Sequence, residues 1–185
     1  MKRLILATFA GAVVAFFWGF VSWMLIGWHT PETFNDEAAV TQVIAENADT
    51  HGIYMLPAPG TDEDHTVEFT KGPFVYAMVR PGSLDQPWSM TESMIRSFCI
   101  NLVCCLVIAI SVLRIRATRY ISRASVGVTM GLFAALSVVL PQWNWFETPG
   151  RHLLAAMLDP IICYSLAGLA IAAIIKTPKA RRIFS

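Results

Sequence analysis

The chain has 185 residues, of which 55% are hydrophobic and only 15% are charged, and its mean hydropathy is +0.54. This composition is too apolar for an ordinary soluble domain, and it predicts an integral membrane protein. The formal net charge is only +1, but ten of the fourteen Lys and Arg residues fall in three segments without acids, at 2–3, 114–123 and 176–182.

The arginine-rich segment from Arg114 to Arg123 lies between two apolar runs, and it sets the predicted orientation of the chain. Each run has about the 20 residues that a helix needs to cross the hydrocarbon of a bilayer. Short arginine-rich connections stay on the cytoplasmic side, so the sequence predicts that both termini are cytoplasmic. The segments on the other side carry twelve acids and four basic residues, which predicts an acidic outer face.

The predicted fold is a membrane all-α bundle of four transmembrane helices, with a small extracytoplasmic α+β segment between helices 1 and 2. The expected divisions are transmembrane helix 1 at 4–28, the extracytoplasmic segment at 29–91, helix 2 at 94–113, a basic cytoplasmic loop at 114–120, helix 3 at 121–140, an outer aromatic loop at 141–151, helix 4 at 152–175 and a basic cytoplasmic tail at 176–185. Helix 3 is expected to end at Pro141.

The outer segment has its own local pattern. Asn35 is the predicted N-cap of a helix at 36–48. Three short strands are predicted at 52–57, 67–70 and 73–79. The motif Ser89-Met90-Thr91-Glu92 has the spacing of a capping box and predicts the start of the second transmembrane helix.

Two of the apolar helices carry small residues every fourth position, which allows a neighbouring helix to approach closely. These predicted packing faces are Gly11, Ala15 and Gly19 in the first helix, and Gly127, Gly131 and Ala135 in the third.

Asp159 is the most informative polar residue, because an acid in the middle of a membrane helix costs about 2.5 to 3.5 kcal/mol on insertion scales. His152 and Cys163 lie on the same helical face. Asn101 has a similar depth in the second helix, and Arg96 lies one turn above it, so the candidate intramembrane polar cluster is Asp159, Asn101, Arg96 and His152. Two interpretations stay open, a proton or cation site and a structural hydrogen-bond clamp between helices.

No motif indicates catalysis or a bound metal. The four cysteines lie in apolar runs and have no zinc-site spacing. No GxSxG, HExxH or P-loop pattern is present. The basic segment at 114–123 is too short, and lacks the interleaved aromatics, for nucleic acid. We therefore expect no cofactor, no metal and no nucleic-acid partner, and we name no catalytic residue.

A group of small bacterial inner-membrane proteins that carry no assigned activity resembles this chain in its motifs, which are Phe17-Trp18-Gly19, Ser22-Trp23, Trp28-His29, Gly52-Ile53-Tyr54-Met55-Leu56-Pro57 and Trp143-Asn144-Trp145-Phe146. The resemblance implies one helix, an outer α/β segment and three further helices. It also implies a bacterial origin, and it transfers no functional residue.

Three functions are consistent with the sequence. The leading one is a non-catalytic accessory, assembly or scaffold subunit, which would bind a protein partner or itself through its helices or its acidic outer segment. The alternative is a small transporter or a proton- or cation-conducting protein that uses Asp159. A weaker alternative is an enzyme acting on a lipid or quinone near Trp143, Trp145 and His152. The basic tail is expected to bind anionic lipids, at roughly 1 kcal/mol per cationic residue.

Overall fold

The computed structural model describes residues 1–58, 72–82 and 89–176. The α-helices are α1 (Lys2–Phe20), α2 (Glu37–Asn47), α3 (Met90–Ile115), α4 (Tyr120–Ala134), α5 (Leu140–Phe146) and α6 (Gly150–Ile174), and the strands are β1 (Gly52–Leu56) and β2 (Val75–Val79). Two π-helical segments, Val21–Ile26 and Ala135–Val139, follow α1 and α4. The chain divides into two units. The helical unit comprises the residues up to Thr30 and those from Ser89 onward, and the smaller unit is Pro31–Trp88.

Four helices in the described part of the chain are long and apolar enough to cross a membrane. We call them the first to fourth spans: Lys2–Ile26, Met90–Ile115, Tyr120–Phe146 and Gly150–Ile174. They contain 25, 26, 27 and 25 residues, which exceeds the roughly 20 that a bilayer requires. The predicted architecture of four such helices with a small sheet is confirmed.

The boundaries of the third span differ from the prediction. The helix does not end at Pro141 but continues to Phe146. Pro141 lies in the first turn of α5, directly after the π-helical segment, where a residue without an N–H group is tolerated. Residues 141–146 of the predicted aromatic loop are therefore helical, and the connection to the fourth span is only 147–149.

The capping motif before the second span forms in part. The Ser89 Oγ accepts a hydrogen bond from the Glu92 backbone N at 3.3 Å. The Glu92 carboxylate instead accepts from Arg96 Nη2 at 2.9 Å, one helical turn further on. The helix begins at Met90, four residues before the predicted start at 94, because Ser89 supplies the cap.

The spans pack in antiparallel order around a core of small apolar residues. Gly11 in the first span faces Ile171 in the fourth, and further along the first span the Ala15 carbonyl accepts a long contact from the Cys163 Sγ at 3.9 Å. The buried core residues are Ala7, Ala12, Ala15, Cys105, Ile108, Ala109, Val112, Ala167, Ile171 and Ile175. We call the bundle end with Ile26, Met90 and Gly150 the upper end, and the opposite end the lower end.

The third and fourth spans touch backbone to backbone. A Cβ atom added to Gly127 would overlap the Tyr164 carbonyl oxygen, and one added to Gly131 would lie 2.6 Å from the Pro160 carbonyl oxygen. Ala135 is fully buried. Gly168, which the sequence pattern did not single out, faces Gly127 from the fourth span.

Gly19 behaves differently from the other glycines of the predicted packing faces. Apart from its two chain neighbours and the backbone of its own helix, no heavy atom lies within 4 Å of the position that its Cβ would occupy. Gly19 therefore borders open space, whereas Gly11 meets Ile171 at 2.8 Å in the same span.

Arg123 ties the lower end together. Its side chain is buried, although it lies in the arginine-rich segment that sets the predicted topology. Its Nη1 donates to the carbonyl oxygens of Thr118 at 2.7 Å and Ala117 at 3.3 Å, and its Nε and Nη2 donate to that of Ala172. Tyr120 Oη donates to the Leu169 carbonyl oxygen at 3.1 Å. These bonds hold the connection before the third span against the last turns of the fourth.

The smaller unit contains α2 and an antiparallel pair of strands. The N-cap of α2 is Asp36 rather than Asn35, because its Oδ1 accepts from the Ala39 backbone N at 2.9 Å. The strands pair from Gly52 with Val79 to Leu56 with Val75. The strand predicted at 67–70 lies outside the described residues, and the strand predicted at 73–79 begins only at Val75.

Candidate functional site

The upper end of the first span departs from a regular α-helix. Residues Val21–Ile26 are π-helical, a geometry that is frequent at functional sites. Gly27 then ends the helix with a φ of +66°, which glycine adopts without the steric penalty of a side chain. This left-handed residue turns the chain back, so that the next side chains lie against the helix that they have just left.

Trp28 and His29 are the side chains that fold back, and both contact Ser22. Trp28 Nε1 donates to the Ser22 Oγ at 2.9 Å, and His29 Nε2 lies 3.2 Å from the same oxygen. Ser22 is fully buried. The His29 ring stacks on Trp23 with 4.3 Å between ring centroids and 12° between planes. The ring of His29 is thus held at a fixed position and orientation.

Asp159 of the fourth span meets this aromatic group. Trp18 Nε1 donates to the Asp159 Oδ1 at 2.6 Å. His29 Nε2 lies 3.5 Å from the Asp159 Oδ2, an ion pair when the imidazole is protonated. Hydrogen bonds to an ionised group are shorter and stronger than neutral ones. The carboxylate is therefore oriented by two side chains of the first span and its following turn.

A cavity of about 470 Å³ adjoins the Asp159 carboxylate, between the first, second and fourth spans. Its walls are mainly aromatic and thioether side chains, including Phe16, Trp23, Met24 and Met94. Its polar lining includes Asp159, Asn101, Ser93 and Tyr164. The volume falls within the range of roughly 300 to 1,000 Å³ typical of small-molecule pockets.

The structure brings together only part of the predicted polar cluster. Asp159 and Asn101 both line the cavity, as does Cys163. Arg96 does not join them: its side chain is 75% exposed and pairs with Glu92, one turn away on its own helix. His152 is half-buried and is not part of the cavity lining, and the histidine beside Asp159 is His29.

The other predicted pocket does not coincide with this cavity. Trp143 and Trp145, which the enzyme hypothesis places around a bound lipid or quinone, are 49% and 71% exposed. Neither they nor His152 line the cavity. Within the described ranges, no group of three or more His, Cys, Asp or Glu residues is arranged to hold a metal ion.

The sequence analysis named Trp18, Ser22 and His29 only as parts of motifs and did not place them beside Asp159. The available indication was Gly27 directly before Trp28-His29, since a glycine after a helix commonly reverses the chain. The contact between the Trp18 indole and the half-buried Asp159 on another helix can be found only from the tertiary packing.

Comparisons with protein-family models, with curated protein sequences and with solved structures find no match for this chain. The class of protein follows from the fold and the site alone. It is a helical protein with four helices able to cross a membrane, and with a carboxylate oriented beside a small-molecule-sized cavity.

Proposed function

We propose that this protein is a multi-pass membrane protein that binds a small amphipathic molecule from the bilayer in the cavity beside Asp159. The observation that carries this proposal is the combination of an apolar cavity with one oriented carboxylate. Small-molecule sites typically have this composition, a mostly apolar wall with a few fixed polar groups.

The rim of the cavity supports entry from the lipid side. Trp23 is 60% exposed, Ile100 62% and Met94 45%, and all three line the cavity. In a bundle that crosses a membrane, such exposed apolar side chains face acyl chains. A molecule dissolved in the bilayer therefore reaches the cavity between the first and second spans without passing through water.

The lower half of the bundle favours binding over conduction. Below the cavity, the first, second and fourth spans are joined by the apolar core around Ala12, Ala109 and Ile171. Thr8 adds one buried hydroxyl without a hydrogen-bond partner in the described part of the chain. A conducted proton or cation needs a polar path, and this core supplies none, so the conducting alternative has less support.

We further propose that the protein lies in a bacterial inner membrane with both termini cytoplasmic and residues 29–91 extracytoplasmic. The support is the clustering of Lys and Arg at the N-terminus, between the second and third spans, and after the fourth span. With this orientation the upper end, and the cavity with it, lies in the outer half of the bilayer.

The cavity is tested with Gly19→Leu. Gly19 lines the cavity, and no atom outside its own helix lies within 4 Å of its Cβ position, so the leucine side chain would extend into that space. The probes are radiolabelled decanol and decyltrimethylammonium, measured on protein in lipid nanodiscs after subtraction of empty nanodiscs. We expect the unchanged protein to bind at least one probe saturably. Gly19→Leu should weaken this binding about tenfold or more, which is equivalent to ~1.4 kcal/mol.

Gly150→Leu is the matched control, since Gly150 also borders open space but does not line the cavity. It should bind the probes as the unchanged protein does. Absence of saturable binding, or equal binding by Gly19→Leu, would contradict the proposal.

The accessory-subunit function is a second candidate because helix α2 of the smaller unit leaves apolar side chains exposed. Helix α2 buries none of its side chains, and Val43 is 59% exposed. An uncovered apolar stripe of this kind is typical of a surface that binds a partner. Mass spectrometry of the protein purified in mild detergent at native expression would show a partner in fixed stoichiometry if this function is correct, and only this chain if it is not.

A further inference from the structure

The charge of the cavity narrows the class of molecule that it binds. Asp159 is the one charged side chain among the described residues that line it, and no Lys or Arg is part of the lining. No Lys or Arg in the described ranges forms an ion pair with this carboxylate. Its partners are the neutral indole of Trp18 and the imidazole of His29, so the carboxylate lacks a permanent countercharge.

The Asp159 side chain is 22% exposed and thus mostly withdrawn from water, and a charge withdrawn from water is costly unless it is paired. A cationic ligand would pair with the Asp159 carboxylate, and an anionic ligand would be repelled by it. A neutral ligand would leave the carboxylate without a countercharge. The electrostatics of the cavity therefore favour a cation over the other two classes.

The walls fit the rest of such a ligand. Trp18, Trp23 and Phe16 line the cavity, and an aromatic face attracts a cation that lies within about 6 Å of the ring centroid. Met24, Met90 and Met94 supply flexible apolar surface for an alkyl or aryl body. A zwitterionic phospholipid head group fits less well, because its phosphate would lie among these apolar groups without a basic partner.

We infer that the cavity binds a lipophilic monocation, with its charged nitrogen against the Asp159 carboxylate and its apolar body between the first and second spans. This inference rests on the proposed function, because it names the class of molecule that the same cavity takes.

The test compares decyltrimethylammonium, decanol and decyl sulfate, which share one tail and differ in head-group charge. Binding is measured in nanodiscs for the unchanged protein, Asp159→Asn, Gly19→Leu and Glu92→Gln. Asparagine keeps the shape of the side chain and can still accept from Trp18. Glu92→Gln removes an acid at the upper end that does not line the cavity.

We expect decyltrimethylammonium to bind the unchanged protein about tenfold or more tightly than decanol, a difference of ~1.4 kcal/mol or more. Decyl sulfate should not bind saturably. Asp159→Asn should lose the preference for the cation, and Glu92→Gln should keep it. The comparison of probes on the unchanged protein stands even if Asp159→Asn fails to fold.

Three results would overturn the inference. Equal binding of decanol and decyltrimethylammonium, both weakened by Gly19→Leu, would leave the proposed function standing and refute the ligand class. If decyltrimethylammonium binds in phosphatidylglycerol nanodiscs but not in phosphatidylcholine nanodiscs, the choline head group competes with it. A lipid head group would then be the occupant of the cavity. No saturable binding of any probe would refute both the inference and the proposed function.

Discussion

Replacing Gly127 with Leu should prevent the third and fourth spans from packing and remove most of the folded protein. A Cβ at this position would overlap the Tyr164 carbonyl oxygen and lie 2.8 Å from the Gly168 Cα. These are backbone atoms, which cannot rotate away as a flexible side chain can. Overpacking that a core can relax costs about 1–3 kcal/mol, and we expect a larger loss here.

The measurement is the yield of monodisperse protein in mild detergent, together with its melting temperature from tryptophan fluorescence. Gly127→Ala should fall between the unchanged protein and Gly127→Leu, since it adds only the Cβ. Gly150→Leu should match the unchanged protein, because its Cβ position borders open space. A Gly127→Leu protein as stable as the control would show that the third and fourth spans do not approach as described.

Arg123→Met should be the most destabilising change at the lower end. The methionine keeps an apolar stem of similar length but removes the donors to the carbonyl oxygens of Ala117, Thr118 and Ala172. Leaving a buried polar group unsatisfied costs about 1–3 kcal/mol. The Ala172 carbonyl lies in the last turn of the fourth span, where the helix dipole also favours a cation.

Thermal unfolding in detergent measures this effect, with Arg119→Met as the control. Arg119 is exposed and forms no side-chain capping bond, so its loss should leave the melting temperature nearly unchanged. Arg123→Lys should be intermediate, because one ammonium cannot reach all three carbonyl groups in the geometry of a guanidinium. Equal melting temperatures for Arg123→Met and Arg119→Met would show that the buried bonds contribute nothing.

Much of the fold can be predicted because hydrophobic length and small-residue spacing are local properties. The four apolar runs are visible in the sequence, and so are Gly127 and Gly131 at their four-residue spacing. The end of the third span could not be predicted correctly, because a proline such as Pro141 usually ends a helix. The structure instead places it in a first helical turn after a π-helical segment, which no periodicity reveals.

Only those site residues that are unusual in their local sequence could be predicted. Asp159 is conspicuous as an acid in an apolar run, and Asn101 shares its depth. Arg96 and His152 were grouped with them by position along a helix, but position does not say which way a side chain points. His29 reaches Asp159 only because Gly27 reverses the chain, a long-range consequence of one backbone angle.

The structural role of Arg123 also could not be predicted from the sequence. In the sequence it is one of four arginines that set the predicted topology. In the structure it is buried, and it binds carbonyl groups on two separate segments. Composition identifies the segment as basic, but it does not show which of the four arginines is buried.

Labelling of single cysteines in bacterial spheroplasts tests whether the four spans cross the membrane in the proposed orientation. The four native cysteines are first replaced, and Thr118→Cys and Thr148→Cys are made in the connections on either side of the third span. With a membrane-impermeant maleimide, the cysteine at 148 should be labelled in intact spheroplasts and the one at 118 only after permeabilisation. The reverse pattern would invert the proposed orientation. Labelling of both from the same side would show that the third span does not cross the membrane, which would contradict the proposed topology.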